Sequence, residues 1–185
     1  MLQHVYPWWL GFLLVSPLRG LWQDPGKVLA PYVREGMTVL EPGPGMGFFT
    51  LELARMVGPR GRVVAVDIQA RMLAGLRRRA AQAGVLERLE TRLASPDTLG
   101  LADLGGAVDF TLAFGVVHEM PAIEPFFVEV AKASKPGAGL LFAEPAGHVK
   151  RPDFEAELQA ATRAGFELVE RPSIRRSRAA FLSRA

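Results

Sequence analysis

Apolar residues recur along this chain with two alternating periods. Short, nearly continuous apolar runs end at Leu40, span Arg62 to Asp67, Leu89 to Ala94 and Val108 to Phe114, and return at Gly139 to Glu144. Their length and β-branched content predict buried strands. Between them apolar positions follow helical spacing: Phe49, Leu53, Met56 and Val57, then Met72, Leu73, Leu76 and Ala80 within a helix expected over Gln69 to Ala83. Gly84 stops that helix, and Lys135-Pro136-Gly137 stops another that starts near Pro121 and reaches Ser134. A helix over Phe154 to Ala164 and a terminal strand pair, Phe166 to Glu170 with Ala179 to Leu182, complete the pattern. Such alternation predicts an α/β fold, a doubly wound and mostly parallel sheet with helices on both faces.

The first strand runs into VLEPGPGMGFFTLELA, from Val39 to Ala54. Gly43, Gly45 and Gly47 fall in the loop between strand and helix, where positive φ and a missing side chain let a ligand approach the backbone at a helix N-terminus. A dinucleotide fingerprint needs glycine at position 48, and Phe48 stands there. No Gly-Lys-Ser/Thr follows, so a phosphate loop is also excluded. Glu41, at the strand's carboxyl end, would repel a pyrophosphate and attract an ammonium or sulfonium group, which points to a cationic nucleoside. These residues resemble motif I, acidic-x-G-x-G-x-G, of the class I S-adenosylmethionine (SAM)-dependent methyltransferases, matched at Glu41, Gly43, Gly45 and Gly47. The resemblance covers roughly residues 24 to 185. It implies a Rossmann-like, seven-stranded sheet with an antiparallel C-terminal strand, SAM as cofactor, and small-molecule methyl transfer.

Asp67 ends the second strand, where an acid can accept hydrogen bonds from both ribose hydroxyls. Its alternative reading is a cap for the following helix. Ile68 could offer an apolar face to adenine; Met72 reads as core first. After the third strand many relatives carry an adenine-binding acid, whereas this chain has Ser95 and then Asp97. Either side chain could serve the cofactor, and Ser95-Pro96-Asp97 also suits a plain turn. VDFTLAFGVVHEM, from Val108 to Met120, resembles motif IV of small-molecule methyltransferases. Phe114 then borders the methionine portion of the cofactor. His118 is the candidate general base for an acceptor hydroxyl or amine, against a reading in which it only holds its loop. His148 is a further base candidate, read as an exposed loop histidine.

Composition narrows the chemistry. The 185 residues fit one domain, read as an apolar helical cap over 1–35 and a Rossmann-like core over 36–185. Cysteine is absent, which excludes disulfides, thiolate metal sites and cysteine nucleophiles. The net charge of +3 is carried mainly by scattered arginines. Arg77-Arg78-Arg79 lacks interleaved aromatics and reads as a solvated helix face, so no nucleic-acid partner is expected. The missing Asn/Asp-Pro-Pro-aromatic run after the fourth strand also argues against methylation of nucleobase amines. Val5 to Leu18 is almost wholly apolar but too short for a span of about 20 residues. Pro7 and Pro17 bracket it, so no membrane span is expected. It reads as a lid, a homodimer contact or a surface for a lipophilic acceptor in a soluble, cytoplasmic protein. Asp24 and Pro25 then open a short helix.

The leading reading is a SAM-dependent methyltransferase acting on an O, N or C nucleophile of a small apolar acceptor. The alternative is a SAM-binding scaffold without catalysis that holds a protein partner through its hydrophobic N-terminus.

Overall fold

The computed structural model describes residues 24–185; the tryptophan-rich N-terminal segment and its proposed lid or dimer contact lie outside them. Seven strands form a mixed sheet with strand order β3-β2-β1-β4-β5-β7-β6, the α/β arrangement expected. The chain groups into two compact units, one ending at Ala94 and the other running from Ser95 to Ala185.

In the first unit, α1 (Pro25–Leu29) starts where Asp24 accepts a hydrogen bond from the Lys27 N–H, with proline at the first helical position. Strands β1 (Thr38–Pro42), β2 (Arg62–Asp67) and β3 (Leu89–Leu93) are parallel. Val39, Leu40 and Val63 to Val66 are buried, as near-continuous apolar strands must be when both faces are covered. Helix α2 (Thr50–Met56) buries Leu53 and Ala54; α3 (Ala70–Gln82) buries Met72, Leu73, Leu76 and Ala80. Met72 is therefore core, in keeping with its helical stripe. Arg77 and Arg78 face solvent, whereas Arg79 turns inward and donates to the Met46 carbonyl.

In the second unit, β4 (Val108–Phe114) and β5 (Ser134–Pro145) pair in parallel, and β7 (Ser177–Arg184) pairs antiparallel with both β5 and β6 (Phe166–Glu170). Helix α4 (Ile123–Ala133) does stop before Lys135-Pro136-Gly137, yet that run lies inside β5 and not before it. The strand accommodates it as a bulge: Val108 pairs with Ser134, but Phe110 pairs with Gly139. Lys135, Pro136 and Gly137 are exposed there, and Lys135 forms an ion pair with Asp109. Proline is tolerated at such an irregularity because no ladder donor is required of it.

Helix α5 (Arg151–Arg163) completes this core. Fully buried Phe142 of β5 stacks on Phe154 of α5 at 4.8 Å and meets Phe127 of α4 edge-on at 5.7 Å. Truncating a ring packed on two sides leaves a cavity as well as losing transfer energy. Phe142→Ala is expected to lose about 3–5 kcal/mol of stability in urea titration, whereas Val169→Ala on exposed β6 should stay within about 0.5 kcal/mol.

Candidate functional site

Strand β1 delivers Glu41 to its carboxyl end, followed by the glycine loop. Gly43, Gly45 and Gly47 all have positive φ, but two of them serve different ends. A Cβ on Gly47 would lie 2.4 Å from Leu76 Cδ1, so this glycine lets α3 pack against the loop. Among the described residues a Cβ on Gly45 would meet nothing within 4 Å. Arg79 fastens the same loop through the Met46 carbonyl.

Asp67, at the end of β2, is joined to that loop. Its carboxylate accepts the Gln69 N–H at 2.8 Å and backbone hydrogen bonds from Gly45 and Ile68. Burial pushes Asp67 upward and these donors pull it back. Gln69 holds the N-cap position of α3, so Asp67 supports the helix start without being its cap residue. Glu41 is only 4% exposed, and its Oε2 has no hydrogen-bond partner among the described residues. Burial raises Glu41 to about 8; the nearby Thr50 hydroxyl lowers it and the Asp67 charge raises it further. An unsatisfied buried carboxyl oxygen suits a cationic group, so Glu41, the Gly45 backbone and Asp67 are residues that could hold a cationic nucleoside such as SAM. Ile68 follows with 46% exposure, open to an apolar contact.

In the second unit, Ser95 and Asp97 are exposed within a small turn closed by a Ser95 to Thr98 bridge. Phe114 is half-buried at the end of β4. His118 lies in a 3-10 turn, Val117–Glu119, and His148 is exposed. The turn is tied to Glu144, which is completely buried near the end of β5. Glu144 Oε1 accepts the Val117 N–H at 2.8 Å, and Oε2 pairs with His118 Nδ1. The hydrogen bond from His118 Nδ1–H to Glu144 raises His118 above the ordinary histidine range against its partial burial. Glu157 of α5 adds a second buried carboxyl, raised to about 7 first by burial and then by the Glu144 charge.

Glu144 and Glu157 are absent from the sequence expectations. Glu144 carried a usable signal: Phe142-Ala143-Glu144-Pro145 echoes Val39-Leu40-Glu41-Pro42, an acid before proline at the end of an apolar strand. Glu157 is visible only as an acid on the apolar stripe of Phe154, Leu158 and Ala161. Among the described residues no cluster of histidine and acids could hold a metal ion, and no helix is long and apolar enough to cross a membrane.

A family model described as a methyltransferase domain matches residues 33–177. The ubiquinone/menaquinone biosynthesis C-methyltransferase UbiE of Brucella canis is 30% identical over 134 residues, covering 71% of this chain and 49% of that protein. The UbiE of Enterobacter sp. is 34% identical over 113 residues, covering 60% and 44%. The chain thus spans about half the length of the curated relatives it matches. A SAM-dependent methyltransferase from Aquifex aeolicus has the same fold, with a TM-score of 0.86 and 24% identity over 98% of this chain and 100% of that one.

Glu41 and Glu157 give the stability a definite pH slope. Both carboxyls are raised from 4.5, to about 8 and about 7, so between these limits the folded chain holds more protons than the unfolded one. Their contribution is full below about pH 4.5 and is lost as pH rises through 7 and 8. Urea titration is expected to show stability falling over that window, and Glu41→Gln should flatten its upper part.

Proposed function

Because the chain belongs to the methyltransferase-domain family and SAM is its cofactor, we propose that it transfers the SAM methyl group to a small, apolar acceptor molecule, with His118 as the base that takes the acceptor's proton. The observation that carries the cofactor side is the buried Glu41 Oε2, which has no hydrogen-bond partner among the described residues. In this reading Glu41, Gly43, Gly45, Gly47, Asp67 and Ile68 hold the cofactor. Ser95, Asp97 and Phe114 are proposed as cofactor-binding only from their sequence positions, in the turn after β3 and at the end of β4. Residues 36–185 act as one methyltransferase domain in the cytoplasm, and the N-terminal apolar segment covers the acceptor or a second copy of the chain.

The UbiE relatives are C-methyltransferases, which supports carbon as the methylated atom. A ring carbon becomes nucleophilic when a neighbouring hydroxyl loses its proton, which gives a base such as His118 its use. Bound SAM supplies an activated methyl group, and in-line positioning provides much of the rate. The chain's own residues bind, orient and accept the proton.

Cofactor binding and turnover are tested separately. Calorimetric titration with SAM should show Asp67→Ala binding about 10- to 100-fold more weakly, the worth of a charge-assisted hydrogen bond of ~1.5–3 kcal/mol, with Gly45→Arg losing measurable binding. Near neutral pH a cation at Glu41 displaces the proton held there. Titrations in buffers of different ionisation enthalpy should therefore show proton release in the wild type that Glu41→Gln lacks. Formation of S-adenosylhomocysteine with a panel of phenols, hydroquinones and amines then tests turnover. SAM binding without turnover on any of them would favour a binding scaffold.

A further inference from the structure

Glu144 presents one carboxylate to two adjacent residues: Oε1 to the Val117 backbone N–H and Oε2 to the His118 ring. A single rigid group thus fixes the imidazole relative to the backbone of its own turn. The Glu144 side chain has no exposure, whereas that of His118 retains 22%. Glu144 engages the Nδ1 edge of the ring, which leaves Nε2 as the nitrogen it does not hold. Glu119 Oε1 lies 3.9 Å from Nε2, beyond hydrogen-bonding range.

We propose that Glu144 is the positioning residue for His118, holding it as the Nδ1–H tautomer so that the Nε2 lone pair is the proton acceptor in methyl transfer. The proposal rests on the reading of His118 as the base. As the acceptor atom bonds to the methyl carbon, the carbon–sulfur bond breaks with its electron pair on sulfur, and the acceptor's proton passes to Nε2. The resulting imidazolium lies against the Glu144 carboxylate and then yields its proton to water. A carboxylate behind the imidazole both selects the tautomer and stabilises the charge that forms.

The other charged groups facing His118 have a different part. Glu119 lies on its own turn, and Glu157 reaches it from α5, with Asp153 acting on Glu157 in turn. No hydrogen bond links Glu157 to the ring among the recorded contacts, and its Oε2 has no hydrogen-bond partner among the described residues. Glu157 therefore acts on His118 through space: it favours the imidazolium without choosing the tautomer.

The two roles separate by nuclear magnetic resonance of the full-length, nitrogen-15-labelled protein. The chain has three histidines, and His118→Gln assigns the relevant ring. Long-range proton–nitrogen spectra through a pH titration are expected to show wild-type His118 titrating above the ordinary histidine range and, once neutral at the alkaline end, as the Nδ1–H tautomer. Glu144→Gln, whose amide oxygen can still accept the Val117 N–H, should mix the tautomers and move the midpoint down. Glu144→Asp should restore the tautomer in part, and serves as the test variant if the glutamine form does not fold. Glu157→Gln should lower the midpoint and leave the tautomer unchanged. An unchanged ring in folded Glu144→Gln, or equal tautomer mixing in Glu157→Gln, overturns the proposal. SAM calorimetry and product formation do not enter this readout, so failure here is distinct from failure of the methyltransferase reading.

Discussion

A carboxylate taken out of water must keep a proton, meet a cation or collect donors, and the chain places one such group at the end of an apolar strand in each unit. Glu41 meets the Thr50 hydroxyl, but its Oε2 has no hydrogen-bond partner among the described residues, and the group is held near 8, largely protonated at neutrality. Glu144 collects a backbone N–H and an imidazole. The difference separates two kinds of buried acid, one kept largely as its neutral form and one partnered on both oxygens by its own chain. Both occupy the carboxyl end of a parallel strand, where open α/β sheets characteristically bind ligands.

The glycine loop shows a similar division of labour. All three alternating glycines adopt positive φ, yet only steric surroundings tell what each is for. Leu76 occupies the space that a side chain on Gly47 would need, which binds the loop's shape to the packing of α3. At Gly45 no described residue occupies that space. Arg79 completes the arrangement from the same helix that packs against Gly47, so the helix core and the loop geometry are set together.

Much of this was legible in the sequence because it is local. Glu41, the glycines and Asp67 lie on consecutive elements joined by short connections, and their spacing alone placed them at two strand ends. The strand Val108–Phe114 and the stripe on α3 were equally plain from hydrophobic period. What escaped depends on long-range pairing. Pro136 and Gly137 read as a stop because local propensity cannot show that a bulge against β4 absorbs them. Glu144 is 26 residues from His118, so the pair appears only when β4 and β5 align. Arg79 likewise looked like its solvated neighbours until the fold brought it to a carbonyl 33 residues away.

Strand order carries a consequence for how the second unit is made. Strand β6 takes its recorded hydrogen bonds from β7, which follows it in sequence and separates it from β5. Until β7 docks, Phe166–Glu170 therefore has no neighbour to pair with in this sheet, and Leu168 and Val169 offer apolar side chains on an open strand. Whatever delays the docking of β7 leaves that edge to non-native pairing between chains.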